Sequence, residues 1–448
     1  MLKDLIQDRH KKLERIREAG RNPYPAKSRR SFTVLHALEN FSTIIRAKKS
    51  VTLAGRVRSF RDQGGLIFLD IDDGTGSIQV VATKKKTNHF DFWKKNIDIG
   101  DFIEARGLLF KTKRGEKSLE AVKVRMLTKS LRPLPEKWHG LKDEEEKLRK
   151  RYLDILFMPE LKDDFLKRSE LIRKIREFLW EEGFLEVETP VLQQIPGGAL
   201  AHPFKTYHNA LKQDFYLRIA TELHLKRLLV AGFDKIFEMG RVFRNEGMDR
   251  EHNPEFTELE IYWAYKDQKD MIQLVKKMLR PFIKGKWKES SYIELVEKYT
   301  GKKAKTLLAM KGSALDDLFK KNVRHKLIKP TIVYDLPKSL SPLAKSYEDN
   351  PEITERFQFI VDGVEVANGF SELNDPIDQR ERMEEQERLF RAGDKEASRL
   401  DEDFLEALEY GMPPTAGVGV GIDRLVSLYT GRRSIKEVIL FPTLKSKK

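Results

Sequence analysis

The 448-residue chain contains no cysteine. A disulfide framework, a thiolate zinc site, an iron–sulfur cluster and a cysteine nucleophile are therefore excluded, and any metal must be held by oxygen or imidazole. Long hydrophobic runs are also lacking, since no stretch approaches the roughly 18 apolar residues of a membrane span. The opening segment, MLKDLIQDRHKKLERIREAG, is charged throughout and has no apolar core of the kind a secretory signal carries. A cytoplasmic protein with no membrane association is the expectation. Neither a Gly-x-Gly-x-x-Gly turn after a first strand nor a GxxxxGK[ST] loop occurs, so no Rossmann or P-loop nucleotide site is signalled.

Positive charge is what the chain has in excess: 85 Lys and Arg against 70 Asp and Glu. Residues 1–140 hold 31 of the basic residues and 16 of the acidic ones, and residues 141–448 hold 54 of each. The imbalance thus sits entirely in the first third, which is the footprint of a polyanion partner. Length and a 40% hydrophobic content suit two or three domains. The stretch LRPLPEKWHGLKDEEEKLRKRYLD, with two prolines and a charge run, predicts a junction that divides the chain into 1–140 and 141–448.

Helical spacing of Leu2, Leu5, Ile6, Leu13 and Ile16 predicts a first helix that Gly20 ends. Five short runs follow, VTLAGRV, LIFLDID, SIQVVAT, DFIEARGLLF and LEAVKVRML, separated by GG, DDGTG and KRGEK turns. Five strands with a basic balance predict an OB-fold β-barrel or another small barrel; an OB barrel binds single-stranded nucleic acid by stacking and backbone charge. The second unit opens with a predicted helix from Leu161 to Glu182, with a stripe of Phe165, Ile172, Ile175 and Leu179. Strands with adjacent turns come next, and Asp362-Gly363 between two apolar runs signals a hairpin. An antiparallel sheet flanked by helices, and hence an α+β fold class, is the expectation.

Three segments of this unit carry the chemistry. They are EEGFLEVETPVL, VFRNEGMDREHNPEFTELEIYWAY and AGVGVGIDRL, spread over about 240 residues. In order they resemble motifs 1, 2 and 3 of the class II aminoacyl-tRNA synthetases: a dimer-interface helix and strand, two antiparallel strands joined by a loop, and a glycine-rich strand running into a helix. The residues suit the reaction those enzymes perform. Adenylate formation is in-line attack of a carboxylate on a phosphorus, so the protein mainly positions anions and neutralises developing charge, a task for planar, permanently charged arginines. On the strand FTELEIY, Phe256, Glu258, Glu260 and Tyr262 share one face by the period of two, which places an aromatic in line with carboxylates.

RNPYP, LRPLPEKWHGL, ETPVLQQIPGGA, VANGFSELNDPIDQRER and LEYGMPPTAGVGVGIDRLV narrow the resemblance to class II lysyl-tRNA synthetases over nearly the whole chain. That resemblance implies activation of lysine with ATP to lysyl-adenylate, then transfer to the 3′ end of tRNA(Lys), by a homodimer that uses Mg²⁺. It implies Arg244 and Arg424 as catalytic residues. Arg244, Glu246, His252, Asn253, Phe256, Glu365 and Arg424 fall at ATP positions. Gly198, Glu222, Arg244, Glu260, Tyr262, Asn368, Phe370 and Glu372 fall at lysine positions. On the barrel, Arg61, Phe68, Gln79 and Glu116 fall at anticodon positions.

The chain departs from the pattern at Gln358, where a second acidic metal ligand is usual beside Glu365, and 301–330 is shorter than the family's insertion. Rival readings are an aspartyl- or asparaginyl-type enzyme, a paralogue that lysylates a protein, and a non-catalytic RNA-binding protein on a synthetase-like fold. Glu222, Glu260 and Glu372 disfavour the first because an anionic substrate side chain would want a cation. The basic N-terminal unit disfavours the second, and retention of Arg244, Glu246 and Arg424 disfavours the third.

Overall fold

A computed structural model describes residues 2–135, 143–310, 312–393 and 399–446. Contacts divide the chain into two compact units, Met1–Gly140 and Leu141–Lys448. The middle of the proline-rich junction, 136–142, and the final two lysines lie outside the described residues.

In the first unit, β1 (Val51–Asp62), β2 (Leu66–Asp72), β3 (Ser77–Thr83), β4 (Phe102–Lys111) and β5 (Lys117–Thr128) close into a barrel of order β1-β2-β3-β5-β4. Alternation fills it: Ile67, Leu69, Ile71, Ile78, Val80 and Ala82 point inward, and the residues between them point out. Gly107 sits where β4 and β5 slip register, and a Cβ there would lie 1.8 Å from the Glu120 carbonyl oxygen. The first helix, Leu2–Glu18, buries Leu13 and Ile16 but leaves Leu2 and Leu5 exposed. Its N-terminal half is anchored instead by buried Arg9, whose guanidinium donates to the Ile99 and Ser130 carbonyls at 2.8 and 3.1 Å.

The second unit contains β6 (Leu185–Glu186), β7 (Leu192–Gln193), β8 (Lys205–His208), β9 (Gln213–Leu217), β10 (Lys235–Phe243), β11 (Glu255–Ala264), β12 (Lys288–Ser291), β13 (Thr331–Pro337), β14 (Ile353–Val361), β15 (Val364–Ser371) and β16 (Thr415–Gly421). Eight form one sheet of order β12-β13-β14-β15-β16-β11-β10-β6, antiparallel except at its two outermost pairs, and β7-β9-β8 form a small separate sheet. Asp362 and Gly363, with φ of 52° and 73°, make the tight turn between β14 and β15. One face of the sheet is covered by helices Pro159–Glu181, Gln268–Leu279 and Ile422–Thr430, packing Leu171, Ile175, Leu179, Met271, Val275 and Leu425 on Phe237, Leu259, Ile261 and Phe357. Each such side chain fully removed from water contributes about 1.5–3 kcal/mol. The other face carries the helices Glu222–Val230 and Glu402–Glu409 at one end and the helices Tyr292–Thr300 and Gly312–Asn322 at the other, with a cleft between them.

Candidate active site

That cleft is a cavity of about 1430 Å³. Strand alternation builds its floor: Leu259 and Ile261 of β11 go to the core, while Phe256, Glu258, Glu260 and Tyr262 line the cavity. Opposite them in register on β16 stand glycines, Gly421 against Glu258, Gly419 against Glu260 and Gly417 against Tyr262. A Cβ at Gly417 would meet Glu372 Oε1 at 2.1 Å and the Tyr262 ring at 2.6 Å. The alternating glycines therefore clear the space into which those side chains project.

One end of the cavity is acidic and buried. Glu222 and Glu260 are 6% and 7% exposed, and Glu372 is 1% exposed. Tyr262 donates to Glu260 Oε2 at 3.2 Å. Burial drives the Glu260 carboxyl well above the usual range, and the nearby charges of Glu258, Glu222 and Glu372 push it the same way. Burial also pushes Glu372 up, to about 8, against the opposing pull of the Lys226 ammonium. Desolvated carboxylates without enough counter-charge make a site for cationic groups. Gly197 and Gly198 border this end, and Asn368, Phe370 and Glu372, alternating along β15 and just past its end, form its side wall.

The other end is basic and aromatic. Arg244 follows β10, donates from Nε to the Ile219 carbonyl at 3.2 Å, lies 3.8 Å from Glu258 and covers one face of Phe256 at 5.0 Å. Arg424, in the first turn of the helix after β16, donates to the Glu365 carbonyl at 3.0 Å and meets His252 Nε2 at 3.1 Å. His252 is held in turn by Asp249 at 2.8 Å. Exposed Glu246 and buried Asn253 complete the rim. Paired guanidinium groups beside an aromatic face suit a nucleotide, with phosphates on the forks and base on the ring. Gln358 Nε2 donates to Glu365 Oε2 at 2.8 Å, while Gln358 Oε1 is buried with no hydrogen-bond partner among the described residues.

All residues that the sequence nominated in this unit line this one cavity. On the barrel, Phe68, Asp70 and Gln79 lie on the outer, half-exposed face, so Phe68 is not a core residue. Arg61 stands 5.5 Å over the Phe68 ring. Gln79 accepts from the Ser118 hydroxyl at 3.1 Å, and Glu116 occupies the turn just before Ser118, between β4 and β5.

The family model of tRNA synthetases class II (D, K and N) matches residues 143–445. The chain belongs to the class II tRNA synthetases. The barrel of this synthetase, residues 51–127, matches the OB-fold nucleic acid binding domain. It is 46% identical to a lysine–tRNA ligase of Roseiflexus sp. (strain RS-1) over 484 aligned residues covering 99% of each chain. Lysine–tRNA ligases of Dehalococcoides mccartyi, at 45% with 97% and 96% covered, and of Moorella thermoacetica, at 44% with 99% and 98% covered, are similarly close.

Two cavity neighbours of this class II synthetase were missed in the sequence. Arg356 on β14 donates from Nε to Asn368 Oδ1 at 2.9 Å. Its signal was its place two residues before Gln358, on the cavity side of a strand whose alternate residues, Phe357 and Phe359, are core. Lys226, fully buried, lies 2.6 Å from Glu222 and 2.5 Å from Glu372. Its signal was the four-residue spacing from Glu222 on one helix face.

Proposed function

We propose that the protein is a lysine–tRNA ligase of the cytoplasm. The observation that carries this is the buried cluster of Glu222, Glu260 and Glu372 at the closed end of a cavity whose other end holds Arg244, Phe256 and Arg424. Glu222 and the Gly198 backbone take the α-ammonium of lysine, and Glu260, Tyr262 and Glu372 take the ε-ammonium. Phe370 packs on the stem, while Asn368 and Arg244 orient the carboxylate. Its oxygen bonds to the α-phosphorus of ATP as the bond to pyrophosphate breaks; a hydroxyl of the terminal adenosine of tRNA then attacks the adenylate carbonyl and AMP leaves. Arg244 faces the α-phosphate, Arg424 and His252 the outgoing phosphates, Phe256 the adenine ring and Glu246 the adenine edge. ATP–pyrophosphate exchange with each amino acid is the test: lysine alone is expected to support it, and exchange with aspartate or asparagine alone would overturn the reading.

Among the described residues no group of three or more His, Asp or Glu side chains is placed to hold a metal. One carboxylate and one partnerless amide oxygen, from Glu365 and Gln358, still fit a magnesium ion that takes its other oxygens from phosphates and water. When bound, such an ion supplies charge neutralisation at the phosphates. Gln358→Glu, which restores a second anionic oxygen, is expected to lower the magnesium concentration for half-maximal exchange by about tenfold, the effect of roughly 1.4 kcal/mol. An unchanged magnesium titration would refute a metal contact at Gln358.

The barrel supports tRNA(Lys) as partner, with Phe68 stacking on an anticodon base, Gln79 and Glu116 reading base edges and Arg61 adding charge. Stacking is worth about 1–3 kcal/mol per base, so Phe68→Ala is expected to raise Kd for tRNA roughly 5–150-fold. Lysine activation should stay unchanged, because Phe68 belongs to the other compact unit. Equal loss in exchange and tRNA binding would remove the assignment. A homodimer is supported by exposed Leu185, Val191 and Leu192 in the segment resembling motif 1, with exposed Trp180 just before it. The 484-position alignment exceeds this chain's own length, so that relative carries residues without counterparts here, part of which we place at 301–330.

A further inference from the structure

Lys226 sits one turn into the helix Glu222–Val230 and is 0% exposed. Its ammonium touches one oxygen of Glu222, at 2.6 Å, and one of Glu372, at 2.5 Å. The Phe370 and Phe404 rings close over it at 5.5 and 6.0 Å. Glu222, Phe370 and Glu372 line the cavity, whereas Lys226 does not; it stands behind them. The charged groups facing Lys226 are Glu222 on its own helix and Glu372 beyond β15, and Glu260, Tyr262 and Glu258 on β11 act in turn on those carboxylates.

We infer that Lys226 is a positioning and specificity-determining residue, pinning Glu222 and Glu372 and trimming the charge of the pocket to match an amino acid with two ammonium groups. In the occupied pocket, with all three ionised, Glu222, Glu260 and Glu372 against one buried ammonium leave two negative charges for the two positive ones of lysine, whose carboxylate is matched separately by Arg244. Without Lys226, three carboxylates would share a dry site, and like charges so close cannot all ionise. Glu260 and Glu372, whose carboxyls burial already raises, would hold their protons more tightly still, and those protons must leave before a substrate ammonium can enter. Burial already pushes Glu372 upward and Lys226 is the group that pulls it back, which agrees with this role. A resident ammonium also fixes which carboxylate oxygens face the cavity, so the pocket is formed before substrate arrives.

This inference rests on lysine being the substrate, and the wild-type exchange assay tests that separately. Lys226→Met removes the charge while keeping much of the volume. It is expected to raise KM for lysine about 10–100-fold at pH 7, the effect of raising a carboxyl by one to two pH units. The variant's lysine KM should also fall more steeply than the wild type's as pH rises from 6.5 to 8.5, with KM for ATP and kcat within about threefold, because ground-state binding alone is altered. Lys226→Arg keeps the charge and is expected to retain the wild-type pH profile, even if its KM shifts. Thermal melts establish that each variant is folded. A wild-type profile in folded Lys226→Met, a parallel rise in the KM values of lysine and ATP, or a steepened profile in Lys226→Arg would overturn the inference. Should Lys226→Met not fold, the Lys226→Arg profile decides it in the same way.

Discussion

Glu260→Gln is expected to lower kcat/KM for lysine in ATP–pyrophosphate exchange by about 10³-fold, within a range of roughly 10²–10⁴ set by the 3–5 kcal/mol cost of breaking a buried ion pair. The substitution keeps shape and removes charge. In the occupied pocket it would leave the ε-ammonium facing a neutral amide where a carboxylate stood. Gln also cannot repeat the contact made by Tyr262, whose hydroxyl donates to Glu260 Oε2, without reorienting its amide. Because the contact is made equally in ground and transition states, the loss should appear as KM with little change in kcat. A change below tenfold would show that Glu260 does not receive the ammonium.

The same carboxylate gives lysine binding a pH dependence of defined sign. Desolvation, reinforced by Glu258, Glu222 and Glu372, raises the Glu260 carboxyl well above its ordinary value, and Glu372 is raised to about 8. Only the ionised forms accept an ammonium. Wild-type KM for lysine should therefore fall as pH rises from 6 toward 8, with the gain ending where lysine begins to lose its own protons, near pH 9–10. In Glu260→Gln the Glu260 part of this slope is absent and the Glu372 part remains. A KM independent of pH across this interval in the wild type would mean that the carboxylates are ionised throughout.

What could be read from the sequence was whatever strand alternation or local turn chemistry writes along the chain. Phe256, Glu258, Glu260 and Tyr262 followed from the period of two, and Asp362-Gly363 from the demand of a tight hairpin for two positive φ values. The alternating glycines of β16 were visible, but their purpose was not. Only the register with β11 shows that Gly417 and Gly419 make room for Tyr262, Glu372 and Glu260.

Contacts between distant segments were hidden. His252 and Arg424 meet across 172 residues, and Arg356 reaches Asn368 only once β14 and β15 have paired. Lys226 stood in plain view within ELHLKRLL, yet a lysine in a helix ordinarily lies in water. Its burial is matched by Glu372, which reaches it from just past the end of β15, two strands from β11. Likewise, the spacing of Leu2, Leu5, Ile6, Leu13 and Ile16 predicted a helix that the structure contains, yet of these only Leu13 and Ile16 are buried, and Leu2 and Leu5 stay exposed. Periodicity defines a face and does not say how much of it finds a partner.

The second large effect belongs to Arg244. Its side chain stands between the acidic end of the cavity and the aromatic ring, tethered at the Ile219 carbonyl and facing Glu258. Its backbone N–H is fixed on the Pro254 carbonyl at 2.9 Å, so the loop between β10 and β11 is closed at its root. In the proposed reaction, a guanidinium held there would be preorganised for the charge that develops when a carboxylate attacks the α-phosphorus. Removing one such donor from a catalytic site costs about 10²–10³ in kcat, and an arginine on a transferring phosphoryl group about 10³–10⁵. Arg244→Ala is therefore expected to lower kcat for exchange roughly 10³-fold, about 4 kcal/mol of transition-state stabilisation. Folding should survive, because Glu258, already raised by burial, can take a proton when its facing cation is lost. Arg244→Lys restores the charge without the bidentate fork and should recover no more than about tenfold, since a point charge cannot hold two phosphate oxygens in one plane. A loss confined to KM for ATP, with kcat intact, would make Arg244 a nucleotide anchor and move the developing charge to Arg424.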